Sequence, residues 1–183
     1  MRFCYANRRF VLFPDAIDSW NLTLENYSDV FLERIKEMGF DALEIGVEAF
    51  EPMTKTDKAI MEFSHRVSKH GLKIGVLRCG GTLTGAKEVL DNKKRLNSAI
   101  HYATMVGAEI VNGAIGTTTR NPGHPAGSLP GSGTGWPISQ DASRESLLSV
   151  YEEMSGIFQD LCDSARVNDI TLSVEVHQNS PVD

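Results

Sequence analysis

Glu175 is the residue whose position most invites chemistry. In the run Ile170 to His177, Thr171, Ser173, Glu175 and His177 share one parity, and Ile170, Leu172, Val174 and Val176 share the other. In a strand that alternation places the two sets on opposite faces. A carboxylate carried inward near a strand end is costly unless it pairs with a cationic side chain or holds a cation. Mg²⁺ or Mn²⁺ accepts such an oxygen ligand. His177 stands on the same face, either as ligand, proton carrier or substrate hydrogen-bond donor, or as a partly exposed histidine at a strand end. Glu44 and Glu48 flank Gly46 at the end of another apolar run, and one of these glutamates is expected to face the same cavity. Arg78 ends the run that begins at Leu72, and it suits either a substrate phosphate or carboxylate or the role of a surface cation. Asn112 ends a further run and offers hydrogen bonds to a hydroxyl-rich ligand. Cys79 has no assignable His or Asn partner, so it makes a poor nucleophile. Gly131 to Gly135 lacks the Gly-Lys-Ser/Thr ending of a phosphate-cradling loop.

These residues sit at the ends of a repeated unit. Amphipathic runs at Tyr27–Met38, Asp57–His70, Asn92–Val106 and Ser143–Val167 are each followed by Gly39, Gly71, Gly107 or Asn168 and then by a short apolar segment. A Gly or Asn just past a helix supplies the left-handed residue that turns the chain. The expected apolar faces are Val30, Phe31, Ile35 and Met38 in the first helix, and Ile60, Met61, Phe63 and Val67 in the second. In the fourth the face runs from Leu147 to Cys162. Asp141 or Ser143 is the expected cap of that helix. With a strand within Arg2–Leu12, the chain reads as about five parallel strands and four helices, an α/β architecture. A doubly wound sheet buries both faces of its central strands, which then read apolar throughout. The polar parity of the runs at 42–48 and 170–177 fits instead a (β/α)8 barrel, whose helices cover only the outside. A closed barrel takes about 250 residues, so the expectation for 183 residues is a partial barrel. Either the chain is a fragment of a longer barrel, or its open edges are covered by a second copy in a homo-oligomer.

The segment 113–139 interrupts the repeat. It holds 7 of the 16 glycines and 4 of the 7 prolines. It leaves a strand on the side where barrels bind ligands, which suits a lid carrying His124 and Trp136.

The net charge of −6 and pI near 5.4 argue against general binding to nucleic acid or a membrane surface, which needs a basic field. No stretch approaches the ~20 apolar residues of a membrane span. Three separated cysteines without a CxxC pair suit reduced thiols, and the cytoplasm is the expected location. Lys93-Lys94-Arg95 reads as a solvated helix start.

The cap order, the strand LEIGVE at 43–48, the segment GAEIVNGAIG at 107–116 and the strand LSVEVHQNS at 172–180 together resemble the xylose isomerase-like TIM barrels. That resemblance implies a sugar or sugar-phosphate isomerase or epimerase that moves a proton beside a carbonyl. It also implies a divalent metal (Mn, Mg, Co or Zn), with Glu175 as both ligand and proton carrier. His177, Asn112, Arg78 and Glu44 would be substrate contacts. The remaining metal ligands of such proteins lie on later strands. If 183 residues are the whole polypeptide, the expectation is weak or absent metal binding and little activity. The alternatives are a non-catalytic barrel that self-associates, and a metal-dependent phosphodiester hydrolase of the AP endonuclease type. The acidic charge weighs against the hydrolase.

Overall fold

The computed structural model describes residues 3–6, 23–51, 56–83, 89–116 and 148–175. Among the described residues there are six strands: β1 (Cys4–Ala6), β2 (Ala42–Gly46), β3 (Lys73–Arg78), β4 (Gly81–Thr82), β5 (Ile110–Gly116) and β6 (Thr171–Glu175). The helices are α1 (Asp29–Glu37), α2 (Asp57–Lys69), α3 (Val89–Val106) and α4 (Leu148–Val167). Every strand pairing is parallel, in the order β1-β2-β3-β5-β6. The two-residue β4 pairs with β5 just beyond the end of β3, so it prolongs the third strand position rather than adding a sixth. The expected five strand positions and four helices are therefore present.

The sheet is covered on one side. Leu43, Ile45, Ile74, Leu77 and Val111 pack in one apolar cluster with Leu32, Ile35, Ile60, Phe63, Val67, Leu96, Ile100 and Leu161 from the helices. Phe50 is wholly buried and stacks on Tyr102, with ring centroids 5.8 Å apart. On the opposite face stand Glu44, Arg78, Asn112, Ser173 and Glu175, and Thr171 and Ser173 there are exposed. Helices on one face and polar groups on the other make this an arc of a (β/α)8 barrel, not a doubly wound sheet.

Local chemistry explains the element boundaries. The Ser28 side chain accepts from the Phe31 N–H, which starts α1 two residues after the expected Tyr27. Gly39, Gly71 and Gly107 all adopt positive φ after their helices, as expected. After α4 the left-handed residue is Asp169, φ 57°, rather than Asn168. Asn168 instead donates its side-chain amide to the Ser164 carbonyl, capping the last turn. Helix α3 begins at Val89, three residues earlier than expected. The caps expected at Asp141 or Ser143 lie outside the described residues.

Several apolar-face expectations need correction. Val30, Met38, Met61 and Leu148 are exposed, and so is Cys162. In α1 the buried pair is Leu32 and Ile35, which turns Val30 outward, and Met38 sits beyond the last turn. Arg95 is not solvated. It is half-buried and faces the same side as Ala99 and Tyr102, while Lys93 Nζ reaches Asp160 at 2.5 Å and ties α3 to α4. Among the described residues no helix is long and apolar enough to cross a membrane.

Candidate functional site

Strand register assembles the polar face. Gly46 pairs with Arg78, Arg78 with Asn112, and Asn112 with Ser173, so these residues form one layer across four strands. Glu44 lies a layer below, and Glu175, paired with Ala114, lies a layer above. The register skips Gly75 between Leu43 and Glu44, and this shift brings Glu44 and Arg78 onto one face.

Two side-chain pairs occupy this face. Arg78 Nη1 donates to Glu44 Oε1 at 3.4 Å. Arg78 is 5% exposed and Glu44 8%, so Arg78 is not a surface cation. Asn112 Nδ2 donates to Glu175 Oε1 at 3.2 Å, in a part-buried position near the C-terminal end of β6. The structure thus brings together four of the residues singled out in the sequence: Glu44, Arg78, Asn112 and Glu175. His177, His124 and Trp136 lie outside the described residues, as does the segment 113–139 beyond Gly116.

The surroundings are acidic and in part dry. Tyr27 is buried in the apolar cluster, its ring edge-on to Phe31 and Phe63, and burial pushes its hydroxyl pKa well above the usual range. Arg78 opposes that shift, while Glu44, Tyr5 and Glu48 add to it. Cys4 is raised to about 11, first by burial and then by the Glu44 carboxylate. Cys79 is buried behind the strand ends and raised to about 12, mainly by burial. Such a thiol holds its proton at neutral pH and is inert, which agrees with the absence of a nucleophile motif.

Sequence reasoning missed a second layer of charge. After β2 the chain makes a short 3₁₀ turn, Val47–Ala49, that lifts Glu48 back over the strand end. Arg95 Nη2 bonds Glu48 Oε1 at 2.9 Å, and Arg95 Nε also donates to Glu51. Arg95 was legible as a cation four residues before Ala99 and seven before Tyr102, inside the apolar stripe of α3.

A hard divalent cation suits the Glu175 carboxylate as one oxygen ligand. Among the described residues no group of three or more His, Cys, Asp or Glu side chains is placed to share a metal ion. A full coordination set therefore requires donors from elsewhere.

The family described as the xylose isomerase-like TIM barrel matches residues 32–183. No curated protein sequence matches the chain. Among solved structures, a xylose isomerase-like TIM barrel protein from Mycobacterium smegmatis in complex with magnesium is 18% identical. The match has a TM-score of 0.65 and covers 99% of this chain and 56% of that one. The E. coli 3-keto-D-glucoside 4-epimerase YcjR is 21% identical, with a TM-score of 0.59 and coverage of 98% and 57%. A D-psicose 3-epimerase solved in the presence of D-fructose is 13% identical, with a TM-score of 0.62 and coverage of 98% and 54%. The chain spans about half the length of the solved structures it matches.

Proposed function

Because the chain belongs to the xylose isomerase-like TIM barrel family, we propose that it serves a metal-dependent sugar or sugar-phosphate isomerase or epimerase. The observation that carries this reading is Glu175. It is a carboxylate on the face that no described helix covers, at the C-terminal end of a parallel strand, oriented by the Asn112 amide. The magnesium complex and the two epimerases among the similar structures support it.

In this reading Glu175 is one oxygen ligand of a divalent cation, and the other ligands come from outside the described residues. When bound, such a cation polarises a carbonyl and stabilises negative charge developing on its oxygen. Glu175 also takes the proton from the carbon beside that carbonyl as one half of an acid–base pair, and the partner that returns a proton comes from outside the described residues. Asn112 holds the Glu175 carboxylate in place through its amide and directs hydrogen bonds to substrate hydroxyls. Glu44 and Arg78 form the neighbouring wall and contact the substrate, and His177 is a further substrate contact in this reading.

The test is proton exchange. The chain is incubated with Mn²⁺ and a panel of ketoses and ketose phosphates in D₂O, and deuterium beside the carbonyl is measured by NMR. Mn²⁺-dependent incorporation that disappears in Glu175→Gln is expected. Incorporation that survives Glu175→Gln, or none from any sugar, counts against the proposal.

A further inference from the structure

Gly46 has no side chain, and two charged groups use the space. A methyl group added there would lie 2.3 Å from Glu48 Oε2 and 2.6 Å from Arg78 Nη2. Those two atoms are therefore within about 5 Å of each other, a range in which opposite charges interact strongly without direct hydrogen bonding. Glu48 Oε2 is buried and has no hydrogen-bond partner among the described residues, whereas Oε1 is taken by Arg95. A buried carboxylate oxygen without a donor is expensive unless a positive charge compensates it. Arg95 lies on the other oxygen of that carboxylate, and the Arg78 guanidinium is the cation on the Oε2 side.

We infer that Glu48 is a positioning residue. With Glu44 it fixes the Arg78 guanidinium between two carboxylates, and through Arg95 it ties that guanidinium to helix α3. Charges alternate along one path: Glu44 on β2, Arg78 on β3, Glu48 on the turn after β2, Arg95 on α3, and Glu51. The path runs from the polar face of the sheet to the helix layer. It predicts that Arg78 is held in one rotamer, with its edge fixed relative to Asn112 on the next strand. The field of Glu48 also reaches Tyr27 and Cys79, as expected for a charge seated among buried groups.

What Arg78 contacts rests on the sugar-site reading above, whereas its fixation does not. The test therefore reads the guanidinium itself. Side-chain ¹⁵N NMR of the full chain follows the Arg78 Nε–H signal, identified by its loss in Arg78→Lys. The burial of Arg78 predicts slow exchange of this hydrogen in the native protein. Glu48→Gln keeps an acceptor for Arg95 but removes the charge, and it should speed Arg78 Nε–H exchange at least about tenfold. Glu48→Asp keeps the charge but withdraws it by one methylene, and it should give an intermediate rate if Glu48→Gln does not fold. Unchanged Arg78 exchange in a folded variant, with only the Arg95 signal moving, would reduce Glu48 to a loop tether and overturn the inference. The proton-exchange assay can fail while this result stands, and the reverse also holds.

Discussion

Glu44 and Arg78 form the most heavily buried ion pair among the described residues, and its energetics are open to a double-mutant cycle. At 8% and 5% exposure the pair lies outside the regime of surface salt bridges, which contribute about 0–1 kcal/mol. Removing one member of a buried pair costs about 3–5 kcal/mol, because the other is left as an uncompensated charge. Glu48 stands close enough to Arg78 to offset part of that loss, so Glu44→Gln belongs at the lower end, about 3 kcal/mol. For a chain of this size that corresponds to a fall in Tm of roughly 6–12 °C. Arg78→Met removes the cation that donates to Glu44 Oε1 and should cost at least as much. Replacing both together, Glu44→Leu with Arg78→Met, removes the desolvation penalties of the pair but takes the Arg78 cation away from Glu48, so it should cost clearly less than the sum of the two single losses without being neutral. Urea unfolding followed by circular dichroism measures all three. Single-variant losses below about 1 kcal/mol, or a double variant that loses the sum of the two, would refute the reasoning.

Other consequences are open to simple measurement. Phe50→Ala empties a wholly buried site between Phe63 and Tyr102 and should cost about 3–5 kcal/mol in urea unfolding; a loss under about 1 kcal/mol would show that the aromatic cluster is loosely packed. Gly113→Ala places a methyl group 2.2 Å from the Cys79 carbonyl oxygen, which belongs to backbone that cannot swing aside. A destabilisation of about 1–3 kcal/mol is expected, and a neutral result would mean that β3 and β5 separate easily. The Cys79 thiol is raised from near 9 to about 12 by burial, so the folded state holds its proton to higher pH than the unfolded state. Its stabilising effect is intact below about pH 9 and is lost as pH climbs towards 12. Cys79→Ser should flatten the decline of unfolding free energy across that window, and an unchanged slope would assign the decline to Tyr27 and Cys4. At pH 7.5 a thiol reagent should label exposed Cys162 first and Cys79 only on unfolding; early labelling of Cys79 would contradict its burial.

The architecture was legible because helix stops and strand parity are local signals. Gly39, Gly71 and Gly107 mark turns whose positive φ few other residues adopt readily. The polar parity of Glu44 and Glu175 announces a face that none of the described helices covers. The pairing on that face was not legible. Glu44 meets Arg78 only because the register slips past Gly75, and no local pattern encodes a slip between strands more than thirty residues apart. The place of Glu48 was not legible either, since its return over Gly46 depends on a 3₁₀ turn and on Arg95 arriving from a distant helix. Val30 and Met38 were misjudged as core because hydrophobicity marks what can be buried, whereas the neighbouring sheet decides which stripe is.

The most direct test of the site is Mn²⁺ binding followed by electron paramagnetic resonance, with metal raised to millimolar concentration. If the Glu175 carboxylate is a ligand, the native chain takes up the ion and Glu175→Gln weakens binding at least about tenfold, while Glu33→Gln on the exposed surface of α1 leaves it unchanged. A native chain that takes up no Mn²⁺, or a Glu175→Gln variant that binds as tightly as the native chain, contradicts the assignment.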